Sequence, residues 1–212
     1  MSPGAQGGPR RRRGLAVGGT LGALTAVAFV LAWIAPGWWA PVARDAAGAL
    51  DTARALEQGV ASELTKVRGP GTQAWAVRLR DADANAWLGA RLPQWLEFDQ
   101  SLPWPEGVDA VQMHTTPRGL TLAARWHGFV VSTNWRIEPG TGGAPATIVA
   151  DGTSVGLLPI PFAAGVGAWF VPQLAKPLPL DLKLGDGRRV RVMGVDFADG
   201  EAVADCETVA RP

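Results

Sequence analysis

From Gly14 to Ala43 the chain carries no charged residue, and from Leu15 to Ile34 nearly every side chain is apolar or small. A helix that is apolar on all sides has no face for water, so it must be buried in a large core or in lipid. Twenty residues at the helical rise give about 30 Å, the thickness of bilayer hydrocarbon. Arg10, Arg11, Arg12 and Arg13 stand directly before the run. Positive charge is retained on the cytoplasmic side, which puts the N-terminus inside and the rest of the chain outside. Trp33, Trp38 and Trp39 gather at the far end, where amphipathic rings favour the membrane interface, and Pro36-Gly37 stops the helix there.

The organisation that follows is a basic cytoplasmic tail over 1–13, a transmembrane helix over 14–35, an amphipathic stalk helix over 42–68 and an extracytoplasmic α+β domain over 73–212. The alternative is a cleaved signal peptide. Its apolar core would be about 7–15 residues, shorter than this one, and Pro36, Trp38, Trp39 and Pro41 occupy the place where a small-x-small cleavage site would fall. Gly14, Gly18, Gly22 and Ala26 recur at every fourth residue. That spacing makes a ridge along which two membrane helices can approach closely, and it marks a candidate homodimer face. A chain rich in Gly and Ala also produces such spacings by chance.

From Val42 to Val67 the apolar positions step by threes and fours through Ala46, Ala49, Ala53, Leu56, Val60 and Leu64, with charges filling much of the rest. The stripe fits either a short coiled coil continuing a membrane dimer or a helix lying on its own domain. Ala at several seam positions, with Gly48 and Gly59, favours the second.

Beyond Gly69-Pro70-Gly71 the pattern predicts a strand over Ala74–Arg80. A helix follows, capped by Asp81 or Asp83, and Pro93 kinks or splits it. Strands are expected over Val108–Thr115, Leu120–Trp126, Phe129–Ile137 and Ala146–Asp151, joined by turn signals. A stiff Gly156–Phe162 stretch, a helix through Phe170 and two closing strands, Arg188–Phe197 and Glu201–Val209, complete the order. Short connections imply antiparallel pairing. The expected domain is a curved antiparallel sheet with helices packed on one face.

Composition enters mainly by exclusion. A formal net charge of +1 is unlike that of a nucleic-acid binder. Arg strongly outnumbers Lys, which with abundant Ala and Gly reads as a GC-rich bacterial coding style. The single cysteine, Cys206, rules out an intrachain disulfide and a cysteine-based zinc site, and its place in an alternating segment suggests a buried strand position. Gly152-Thr-Ser154-Val-Gly156 matches the nucleophile-elbow pattern, but that motif needs a helix directly after the serine, and Pro159 and Pro161 intervene. Asp81-x-Asp83-x-Asn85 opens like a calcium loop, yet its sixth position is Ala86 and its twelfth Leu92. His114 and His127 have no evident third metal ligand. No catalytic residue, metal or cofactor is assigned.

Two stretches carry a family resemblance. Leu79-Arg-Asp-Ala-Asp-Ala-Asn85-Ala-Trp-Leu88 and Val155-Gly-Leu-Leu-Pro159-Ile-Pro161-Phe162, with the closing strand pair, resemble small membrane-anchored bacterial proteins of the YpmS type. These are similar to tubular lipid-binding domains, in which a curved sheet wraps a helix and encloses an apolar groove. The resemblance implies that Trp87, Leu88 and Trp95 on the first helix face Leu157, Leu158, Ile160, Phe162 and Trp169 across such a groove. An ordinary hydrophobic core would use the same residues. The expectation is thus a non-enzymatic, membrane-anchored extracytoplasmic protein that binds lipid or another apolar ligand near the bilayer. The alternative is an envelope scaffold acting through homodimers or protein partners.

Overall fold

The computed structural model describes residues 10–66, 74–98, 104–160 and 178–209, with residues 10–21 as backbone alone. The chain is α+β, with two antiparallel sheets. Helix α1 (Arg10–Trp33) leads into an irregular connector and helix α2 (Ala49–Thr65). Strand β1 (Ala74–Arg80) runs straight into α3 (Asp81–Ala90), and α4 (Leu92–Phe98) follows after a break at Arg91. Pro93 falls in the first turn of α4, where its missing N–H costs nothing, so it splits the expected helix in two.

The larger sheet begins as a meander of β2 (Val108–Thr116), β3 (Gly119–Trp126), β4 (Phe129–Glu138), β5 (Thr147–Val155) and β6 (Leu158–Ile160), in that order, with β7 (Leu178–Pro179) also pairing with β5. The smaller sheet has the order β1-β10-β9-β8, from β8 (Asp181–Lys183), β9 (Arg189–Ala198) and β10 (Glu201–Val209). Trp75 pairs with Cys206 and Leu79 with Ala202, and Cys206 is buried on β10 as its alternating context suggests.

One curved sheet was expected, and two are found. They join at two places. The Ala146 N–H donates to the Val192 carbonyl, the Val192 N–H to Leu180, and the Leu180 N–H back to Ala146. At the other seam the Gly200 N–H, in the β9–β10 turn, donates to the Thr115 carbonyl at 3.3 Å.

The helices meet the larger sheet at different strands. α3 packs on β2 and on α2, whereas the end of α1 meets β4, β5 and β6 at the other side of the larger sheet. The α2–α3 contact is built from Ala49, Ala86 and Ala90, with Val42, Ala46 and Leu50 packed around them. Small side chains let the backbones come close, and a Cβ at Gly89 would run into the Val42 carbonyl. Helix α2 therefore lies on its own domain. The Glu57 carboxylate accepts from the Trp87 indole at 2.9 Å and from Arg91 Nε at 3.0 Å and Nη2 at 3.1 Å. These bonds, Arg91 foremost, hold the Glu57 pKa below its ordinary value. The expected helix through Phe170 lies outside the described residues.

Candidate functional site

Strand β2 is an edge of the larger sheet, and an edge leaves every second backbone N–H and C=O without a strand partner. Helix α3 supplies those partners through its side chains. The Asn85 carboxamide accepts from the Met113 N–H at 2.7 Å and donates to the Met113 carbonyl at 2.9 Å. The Asp81 carboxylate accepts from the Thr115 N–H at 2.8 Å and from its hydroxyl at 2.7 Å. The spacing explains the fit. Four residues of helix rise about 6 Å and two residues of strand span about 6.8 Å, so an i, i+4 pair matches alternate strand positions. Asp81 thus acts on the strand edge. The N-cap position falls to Arg80, which makes no side-chain capping bond. The Asp81 N–H also donates to the Gly200 carbonyl, which closes a network across the seam between the sheets.

A second clamp holds the connector after α1. Gln112, 5% exposed, accepts from the Ala40 N–H at 2.7 Å and donates to the Trp38 carbonyl at 2.9 Å. This pins Trp38 against the sheet. Its indole stacks on the His114 imidazole, with ring centres 5.0 Å apart and planes 13° from parallel. His114 Nδ1 lies 3.4 Å from Asp81 Oδ2.

Beside this stack is a cleft of about 550 Å³, lined among others by Trp38, His114, Arg118, Asn134, Trp135 and Asp151. Trp135 is 4% exposed, and its indole N–H has no hydrogen-bond partner among the described residues. The lining pairs two indoles and an imidazole with an amide, a guanidinium and a carboxylate. Such a mixture holds a ligand with one flat apolar side and several hydrogen-bonding groups. A second cleft, also about 550 Å³, lies between the connector, α3 and β2, with Val42, Leu88, Pro93, Trp104 and Arg125 in its walls.

The expected groove residues fall into separate places. Trp87 is held by Glu57, Leu88 lines the second cleft, and Trp95 is 47% exposed on α4. Leu157, Leu158 and Ile160 lie on β6 or in the turn before it, at the far side of the sheet, with β3, β4 and β5 between them and β2. The structure does not bring the two groups together along the sheet. Phe162 and Trp169 lie outside the described residues. On α1, Gly22 and Ala26 are exposed, and a Cβ at Gly22 would meet nothing within 4 Å. Gly14 and Gly18 belong to the part of α1 described as backbone alone.

Ser154 sits inside β5, paired with Pro159, and forms no elbow. Among the described residues no group of three or more His, Cys, Asp or Glu could hold a metal ion. Also among them, no helix is long and apolar enough to cross a membrane, side chains of α1 being described only from Gly22 onward.

Asp81, Asn85 and Gln112 escaped the sequence reading as contact residues. Asn85 stands in the Leu79–Leu88 segment that carries the family resemblance, but its partner is 28 residues away on a strand edge. Nothing local marks that edge. Comparison with known families, curated proteins and solved structures gives no match.

Proposed function

We propose that this protein is a membrane-anchored extracytoplasmic binding module without catalysis, and that its ligand sits in the cleft beside Trp38 and His114. The anchor is the apolar run from Leu15 to Ile34 behind the arginine cluster. One observation carries the choice of cleft: Trp38, which arrives directly from the α1 connector, makes an aromatic wall with His114 over a buried indole N–H at Trp135. That donor has no accessible surface, so what a ligand in the cleft meets is the stacked Trp38–His114 wall together with the polar groups of Arg118, Asn134 and Asp151. The ligand class is amphipathic, a lipid headgroup or another molecule with a ring or acyl face. The dispersal of the expected groove residues moves the seat away from the α3–β6 gap.

The absence of a catalytic role rests on the surroundings of Asp81 and His114. The hydroxyl bonded to Asp81 is that of Thr115, which is fully buried and donates to the carboxylate. A nucleophile must reach its substrate, and this one cannot.

The test is extraction of the purified full chain with organic solvent, followed by mass spectrometry. A discrete co-purified molecule is expected in the native protein. It should be lost from Trp38→Ala and reduced in Arg118→Ala, an exposed turn variant that leaves the sheet intact. No bound molecule, or the same molecule retained by both variants, would refute the cleft.

The scaffold reading draws on a different observation. Trp95 and Phe98 on α4 are 47% and 91% exposed, an apolar surface of the kind protein partners cover. Cross-linking in native membranes separates it from ligand binding: a partner captured through α4 supports it, and a strict monomer counts against it.

A further inference from the structure

The end of α1 is bonded into the outer domain. The Leu157 N–H, in the β5–β6 turn, donates to the Leu31 carbonyl at 2.8 Å, one of the carbonyls a helix C-terminus leaves unpaired. Gly156, at φ 56, presses against the same turn of helix; a Cβ there would lie 2.5 Å from the Leu31 oxygen and 2.6 Å from that of Ile34. Phe129, which opens β4, meets Trp33 edge-on at 4.9 Å and Phe29 at 6.5 Å. Two hairpin tips, Trp126–Phe129 and Gly156–Leu157, therefore stand beside the last turns of α1.

Exposed apolar side chains concentrate in this region. Eleven large hydrophobic residues are exposed among those described; five belong to the end of α1, Ile34 follows it directly, and two more, Trp126 at 39% and Leu157 at 47%, are on these tips. Phe29 is five residues before Ile34, about 7 Å down a helix axis. Phe129, nearer to the Trp33 ring than to that of Phe29, thus lies between the levels of these two residues, within the roughly 5–10 Å that interfacial apolar groups enter a bilayer.

We infer that the two hairpin tips form a lipid-docking surface: Trp126, Phe129 and Leu157 enter the headgroup–acyl boundary around the emerging helix and seat the domain directly on the bilayer. This rests on the reading of α1 as a membrane helix. The commitment to lipid as occupant follows from continuity, because the tips bond to the helix at the level where it leaves the hydrocarbon. An indole at such a level has its preferred surroundings, apolar below and wet above. The docking also orients the cleft. The six residues of strand from Trp126 back to Leu120, which lines the Trp38–His114 cleft, are about 20 Å long and set how far the cleft can stand from the docked tip.

The experiment uses the full chain, with Cys206 replaced by Ala, in vesicles of phosphatidylcholine and phosphatidylglycerol with the domain outward. Nitroxides are placed singly through Val27→Cys, Leu157→Cys, Trp126→Cys and Arg118→Cys, and each is read for collision with oxygen and with a water-soluble nickel chelate. Thermal unfolding confirms that each variant is folded. The oxygen-to-nickel ratio should be high at 27, and at 157 and 126 should exceed that at 118 by roughly tenfold, as befits groups about 5 Å below the phosphates. A high ratio at 27 with ratios at 157 and 126 equal to that at 118 overturns the docking and leaves the anchor standing. Low collision with both reagents at 157 and 126 also overturns it, because protein then covers the tips. A low ratio at 27 sinks the membrane helix itself, and the docking with it.

Discussion

Asn85 is the position where one side chain does most for the join between helix and sheet. It is 8% exposed, and both of its hydrogen bonds go to the backbone of Met113, which is 6% exposed. Asn85→Ala leaves one donor and one acceptor of a sheet edge buried without partners. Each such group costs about 1–3 kcal/mol, and some water will enter the space left by the carboxamide, so the expected loss is about 2–4 kcal/mol. At about 3 °C per kcal/mol for a domain of this size, the midpoint should fall by roughly 6–12 °C. Asn85→Asp should be at least as damaging at neutral pH. A carboxylate accepts from the Met113 N–H but cannot donate to the carbonyl, and it buries a charge. Protonation restores the donor. The folded-state pKa of the new carboxyl is then raised, so its deficit narrows as pH falls. The assay is thermal unfolding of the full chain in detergent by circular dichroism, with amide exchange at Met113 as the local readout. A loss for Asn85→Ala within about 0.5 kcal/mol of native, the usual range for an uninvolved surface site, or an unchanged Met113 exchange rate, would refute the reasoning.

Two further outcomes follow from single contacts. Arg91, through its bonds, holds Glu57 below its ordinary pKa, so this interaction is fully present above the unfolded carboxylate range and is lost as pH drops through the folded value. The pair is about a third exposed, so Glu57→Gln should cost only about 1 kcal/mol at neutral pH in urea titrations, and that difference should vanish in acid; a deficit that persists in acid would assign the effect to packing. Gly156→Val puts a branched side chain at positive φ, at a strain of about 1–2 kcal/mol, and drives its Cβ into the last turn of α1. Spin-label distances between positions 27 and 118 should broaden from one sharp population to several, and an unchanged distribution would show that α1 and the domain are not coupled through this turn.

Much of the fold was legible locally. The strand over Ala74–Arg80 and the closing strand Glu201–Val209 fall where the alternation puts them, because period-two patterning needs no knowledge of partners. The break near Pro93 is equally local. The short strands β7 and β8 were not legible: β7 lies in a proline-rich stretch and pairs with β5, some thirty residues back, and β8 is three residues long, too short to show an alternation of its own.

The candidate site divides the same way. That Trp38 would sit near the end of the apolar run is a statement about chain order, and the sequence made it alone. That Trp38 would stack on His114 was decided by Gln112, whose carboxamide clamps the connector from 72 residues away. The resemblance placed Trp87 opposite Leu157, whereas tertiary pairing put them beyond opposite sides of a meander. The physical reason is one of range. Hydrophobic periodicity and glycine or proline geometry act within a few residues, so a single sequence displays them. Which edge is covered, and which side chain completes a distant backbone, depends on groups that meet only once both sheets have formed.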